Sequence, residues 1–138
     1  MNIGLGQRRK TILLVDADPH ARAVLRIALE AADFSVGEAA SDREGERTAL
    51  RIKPDAILAE LMTAAAERGL TLFERLKAGG LAIPCYVVST ASEALMGSVG
   101  LHELGLSGVF LKPVDAAIVI QTLKARLGMR AGDSSRAP

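Results

Sequence analysis

The sequence predicts an α/β protein: one doubly wound, five-stranded parallel sheet in the order 2-1-3-4-5, flanked by five helices. Three observations predict it. Short apolar runs of strand length alternate with longer segments of helical periodicity from Thr11 to Leu127. The central run, from Pro54 to Met62, is nearly continuous in apolar residues, as suits a strand covered on both faces. Polar groups also stand at the carboxyl ends of four of the five runs, where open α/β sheets gather their chemistry.

Each element has its own justification. The first strand, Thr11 to Val15, runs into Asp16-Ala17-Asp18-Pro19. Asp18 followed by Pro19 is a helix start, a carboxylate N-cap and then a proline whose missing N–H is not needed there. The helix extends through Ala32, with Ala23, Val24, Ile27, Ala28 and Ala31 predicted as its buried face. Phe34 to Glu38 reads as a short edge strand, and Ser41 with Glu44 as the capping box of a polar helix that reaches Ile52. After the central strand, Thr63 to Gly69 is a loop or an early helix start, and Leu70, Leu72, Phe73 and Leu76 lead to the breaker Gly79-Gly80. Ile83 to Val88 is the fourth strand, running into Ser89-Thr90. A helix weakened by Gly97 and Gly100 spans about 92–104 and stops at Gly105. Gly108 to Leu111 is the fifth strand, ending at Lys112-Pro113, and Asp115 to Leu127 forms the last helix. Residues 1–10 and 128–138 read as flexible tails around a single domain, 11–127.

Composition narrows the class. The chain has 138 residues, 49% of them apolar but only 3% aromatic, so the core must be aliphatic. A net charge of +1 leaves no electrostatic footprint for nucleic acid or an acidic membrane. The single cysteine, Cys85, lies in an apolar run and reads as a small buried hydrophobe, in keeping with a reducing cytoplasm. No run is long enough to span a bilayer, and the N-terminus lacks the apolar centre of a signal peptide. His20 and His102 read as surface and helix-end residues respectively, and no His/Cys spacing suggests a metal site.

The predicted topology brings Asp16, Glu60, Ser89 and Lys112 to one edge, around the switch point between the first and third strands. With Asp18 nearby, they make a small polar pocket. At this point the chain resembles the receiver domain of two-component response regulators. The resemblance rests on Val15-Asp16-Ala17-Asp18-Pro19 as the acidic first loop, Pro54 to Met62 as the phosphoacceptor strand, Ile83-Pro84 through Ser89 as the strand ending in the switch hydroxyl, and Leu111-Lys112-Pro113 as the lysine that contacts phosphate. It implies a signalling module rather than an enzyme, loaded by a histidine kinase or a relay.

The departures carry as much information. The resemblance implies an aspartate where Glu60 stands and a second acid, a direct Mg²⁺ ligand, where Ala17 stands. It implies an aromatic switch residue where Val109 stands, and the loop Thr63 to Gly69 differs from the family's usual sequence. Phosphoryl transfer to a carboxylate needs in-line attack with cations on the equatorial oxygens. Glu60 displaces the nucleophile by about 1.5 Å, and a misplacement of about 1 Å can cost roughly a hundredfold in rate. Ala17 removes a carboxylate from a metal that takes only one or two. Ordinary aspartyl phosphorylation is therefore expected to be lost or weak, with no cofactor, or weak Mg²⁺ held by Asp16 and Glu60.

Two functions follow. The first is a stand-alone degenerate receiver that works by phosphorylation-independent contact with a histidine kinase, another regulator or a larger signalling protein. In it Glu60 mimics, with one charge, a phosphate carrying roughly 1.5 to 2. The second keeps residual Mg²⁺-dependent phosphoryl acceptance. No DNA-binding output segment is expected after Leu127, and a homodimer through the fourth helix, fifth strand and fifth helix is the contact the resemblance implies. A flavodoxin-like cofactor binder ranks last, because the acidic first loop has no glycines to cradle phosphate.

Overall fold

The computed structural model describes residues 9–60, 66–90 and 106–129, with backbone alone for 66–71. Its elements are β1 (Thr11–Val15), α1 (Pro19–Ala31), β2 (Ser35–Ala39), α2 (Asp42–Ile52), β3 (Ala56–Glu60), α3 (Ala66–Ala78), β4 (Cys85–Ser89), β5 (Gly108–Leu111) and α4 (Ala116–Arg126). The strands form one parallel sheet in the order β2-β1-β3-β4-β5, as the sequence predicts. Four helices are described. The predicted helix over 92–104 lies outside the described residues, as do nearly all of both predicted tails.

Period-two alternation builds two cores, one on each face of the sheet. Leu13, Val15, Ile57, Ala59 and Val87 point to one side, where Ala49 of α2 and Leu72, Phe73 and Leu76 of α3 cover them. Ile12, Leu14, Leu58, Val88 and Phe110 point to the other, under Leu29 of α1 and Val119 and Leu123 of α4. Both faces are closed, which is why β3 and β4 are apolar almost throughout. Gly45 lets α2 lie close to β1: a Cβ there would stand 3.1 Å from a methyl of Val15.

Helix starts follow the local signals. Asp18 accepts the His20 N–H at 2.9 Å, Ser41 Oγ accepts the Glu44 N–H at 3.1 Å, and Asp115 accepts the Ala117 N–H at 2.9 Å. Strand bounds shift slightly. Phe34 closes the turn after α1 by donating to the Leu29 carbonyl, so β2 begins at Ser35. Pro84 has no N–H to pair, so β4 begins at Cys85, although its carbonyl accepts from Ile57.

The buried face of α1 corrects the sequence reading. Ala23, Val24, Ile27 and Ala31 are exposed, Val24 at 52% and Ile27 at 68%, and Leu29 is fully buried with Leu25 partly buried beside it. The helix carries two apolar stripes of nearly equal quality, Ala21-Leu25-Ala28-Leu29-Ala32 and Ala23-Val24-Ile27-Ala31. Periodicity identifies stripes; only packing against the sheet chooses between them.

Candidate functional site

The carboxyl edge of the sheet opens into a cavity of about 340 Å³ between α1 and the segment joining β5 to α4. Its floor is Leu14, Leu58 and Val88, from three adjacent strands, and Asp16, Asp18, Arg22, Glu60 and Lys112 carry its charge. β1 and β3 are neighbours with Val15 opposite Ala59, so Asp16 and Glu60 emerge side by side. β4 and β5 bring Lys112 back toward them, and the Lys112 N–H donates to the Ser89 carbonyl at 2.8 Å.

The central contact is an ion pair. Lys112 Nζ donates to Glu60 Oε2, joining residues from the ends of β5 and β3. Glu60 lies on the side of β3 that carries Leu58, the side of the cavity, because residues two apart along a strand share a face. Asp16 uses one carboxylate oxygen to accept the Asp18 N–H at 2.8 Å, a local loop bond. Asp18, in turn, is the cap of α1. The Lys112–Pro113 peptide is cis.

Ser89 stands at the same edge but outside the cavity lining. It is fully buried, and its hydroxyl donates to the Thr90 carbonyl at 3.0 Å. Alternation places it on the sheet face of Val87, opposite to the face of Leu58. Val109 shares that face and packs against the core beneath α3. The nearest aromatic along β5, Phe110, faces the other way and stacks on Tyr86 with centroids 5.3 Å apart. No ring of β5 therefore occupies the face of Ser89.

Sequence reasoning missed Arg22. Its Nε donates to Glu38 Oε1 at 2.8 Å and its Nη1 to the Asp16 carbonyl at 2.5 Å, which pins α1 to the loop after β1 and to β2. Arg22 and Arg26 hold the Glu38 carboxyl below the usual carboxylate range, Arg22 contributing most. The signal is present in the sequence: Arg22 lies next to the stripe of Leu25 and Leu29 that faces the sheet, whereas the predicted stripe turns it away.

A metal would find few donors here. Position 17 offers a methyl group, one Asp16 oxygen serves the loop and Glu60 serves Lys112. Among the described residues no group of three His, Cys, Asp or Glu side chains is placed to hold an ion.

A doubly wound sheet with an acid after β1, an acid closing β3, a hydroxyl closing β4 and a lysine-proline pair closing β5 defines a receiver module. The response regulator receiver domain family matches residues 12–124, and the chain belongs to it. The chain is similar to the phosphate regulon transcriptional regulatory protein PhoB of Pseudomonas aeruginosa, at 31% identity over 131 residues, 94% of this chain and 56% of that protein. It thus spans little more than half of that relative. Among solved structures, the N-terminal domain of an uncharacterized protein from Wolinella succinogenes has 29% identity and a TM-score of 0.75, covering 84% of this chain and 92% of that one. The CheY-like receiver domain protein from Methanospirillum hungatei has 23% identity and a TM-score of 0.79, with 88% and 95% covered, and supports the fold alone. Receiver domains are signalling modules that interact with kinases and other proteins. Among the described residues no helix is long and apolar enough to cross a membrane.

Proposed function

We propose that this chain is a degenerate receiver that signals through protein contact in the cytoplasm, without a phosphorylation cycle. The observation that carries the reading is the Glu60–Lys112 ion pair. In a working receiver the lysine neutralises a phosphoryl oxygen in the transition state. Here that ammonium already has a carboxylate, and the carboxylate that would attack phosphorus is engaged by the lysine. The nucleophile is both displaced and occupied.

The donor set suits Mg²⁺ poorly, because Ala17 removes one of the one or two carboxylates it takes, one oxygen of Asp16 accepts the Asp18 N–H, and Glu60 is paired with Lys112. The pair also supports a standing mimic of the phosphorylated arrangement, in which Glu60 holds Lys112 as a phosphoryl oxygen would. Val109 then leaves no ring to swing, so the output would be one fixed surface offered to a kinase, another regulator or a larger signalling protein.

Incubation with acetyl phosphate and Mg²⁺ followed by intact mass tests this directly. The expected result is no added phosphoryl mass. Stoichiometric labile labelling at residue 60 would overturn it and favour residual phosphoryl acceptance, the reading that the shared placement of Asp16 and Glu60 in one cavity supports.

A further inference from the structure

The cavity at the carboxyl edge is larger and more apolar than a phosphoryl group requires. Its volume of about 340 Å³ lies in the range of small-molecule sites, and a cavity of about 150 Å³ already takes one benzene ring. We infer that it binds a small uncharged molecule with an apolar body of one or two rings, held between α1 and the segment joining β5 to α4.

The lining favours such a body. Leu14, Leu58 and Val88 form the floor, and Leu25 of α1 and Val114 ahead of α4 supply walls. The floor residues stand on three adjacent strands and belong to the core beneath α1 and α4, so the floor is preformed. It offers water nothing to bond with, and an ordered water needs two to four polar partners. Val24 also lines the cavity and is 52% exposed, apolar surface that a ring would take out of water.

Charge decides the class of ligand. Each of the five charged side chains around the cavity already has a protein partner. Lys112 is paired with Glu60, and Arg22 is paired with Glu38 while donating to the Asp16 carbonyl. Asp16 accepts the Asp18 N–H, and Asp18 accepts the His20 N–H. Three acids against two cations leave the lining one negative charge, which the amino ends of α1 and α4 offset, since both helices start at this edge. A charged guest would shed its own water and compete with these contacts. An uncharged guest leaves them in place and gains from the floor and walls. Such a ligand presupposes the reading above, in which Glu60 engages Lys112, and gives the cavity an occupant other than phosphate.

Calorimetric titration of the full chain with indole, without Mg²⁺ or acetyl phosphate, should give one site with a Kd on the order of 0.1 mM. Methyl NMR spectra should locate it: Leu14, Leu58, Val88 and Val114 shift, while Leu72 and Leu76, across the sheet, do not. Ala21→Phe and Ala116→Phe fill the cavity from its two helices at positions outside both cores, and each should weaken binding at least tenfold. Benzyl alcohol, benzylammonium and benzoate share one ring and differ in charge, and the alcohol should bind tightest. No saturable binding of indole up to its solubility, or binding that neither filled variant weakens, would overturn the inference. A tenfold preference for either ion over the alcohol would do the same. The two readings fail separately: a chain that takes neither phosphate nor indole loses only the ligand, whereas phosphoryl loading at residue 60 removes the basis of both.

Discussion

Restoring the two altered acids should restore phosphoryl acceptance, and the size of the gain can be worked from the site. Glu60→Asp withdraws the carboxylate by about 1.5 Å, which releases it from Lys112 and returns it to attacking distance. Misplacement on that scale corresponds to roughly a hundredfold in rate. Ala17→Asp adds a second carboxylate at an exposed loop position. At an exposed position, after screening, an added ion pair is worth about 1 kcal/mol at most, roughly fivefold in rate. The Glu60→Asp/Ala17→Asp chain should therefore load from acetyl phosphate several hundredfold faster than the parent, with each single change recovering part of the gain. Lys112 is 38% exposed, so losing its partner should cost no more than about 1 kcal/mol of stability, and the double variant should remain folded. The assay is a time course of intact mass with Mg²⁺, repeated with a chelator, alongside circular dichroism. A parent chain that loads as fast as the double variant refutes the reasoning. So does a folded double variant that never loads.

The remaining predictions concern stability. Leu29→Ala removes a fully buried side chain and should cost about 2 to 5 kcal/mol, whereas Ile27→Ala should stay within about 0.5 kcal/mol; paired urea titrations compare them, and similar losses would mean that α1 is turned the other way. Gly45→Ala gains up to about 1 kcal/mol of helix propensity but drives a methyl group into β-branched Val15 on a buried strand; a net loss of about 1 kcal/mol, read as a lower Tm, is expected. Burial pushes the Cys85 thiol from 9.0 up to about 11, so the folded chain keeps a proton that the unfolded chain releases first. Stability should fall as pH rises through that window, by about 3 kcal/mol in total. Cys85→Ala should lack that extra alkaline loss in a comparison of urea midpoints, and Cys85 in the folded parent should resist alkylation at neutral pH.

Much of this protein is readable without coordinates. Apolar runs of strand length, punctuated by Asp18-Pro19, Ser41 and Gly79-Gly80, specify the order of elements, because caps and breakers act within a few residues of themselves. The parallel order follows from the alternation of strands and helices. The unusual chemistry, Ala17, Glu60 and Val109 at positions where the family resemblance implies other side chains, is also visible as a string of letters.

What remained for the tertiary structure were choices among equals and meetings across distance. α1 has two stripes that burial could use, and the sheet's surface selected the one bearing Leu25 and Leu29, which brought Arg22 to the cavity and left Ile27 outside. Glu60 and Lys112 stand 52 positions apart, so their pairing depends on how five strands stack side by side. Local sequence sets spacing along an element; the rotation of that element, and the partner its side chains find, depend on packing against residues far along the chain.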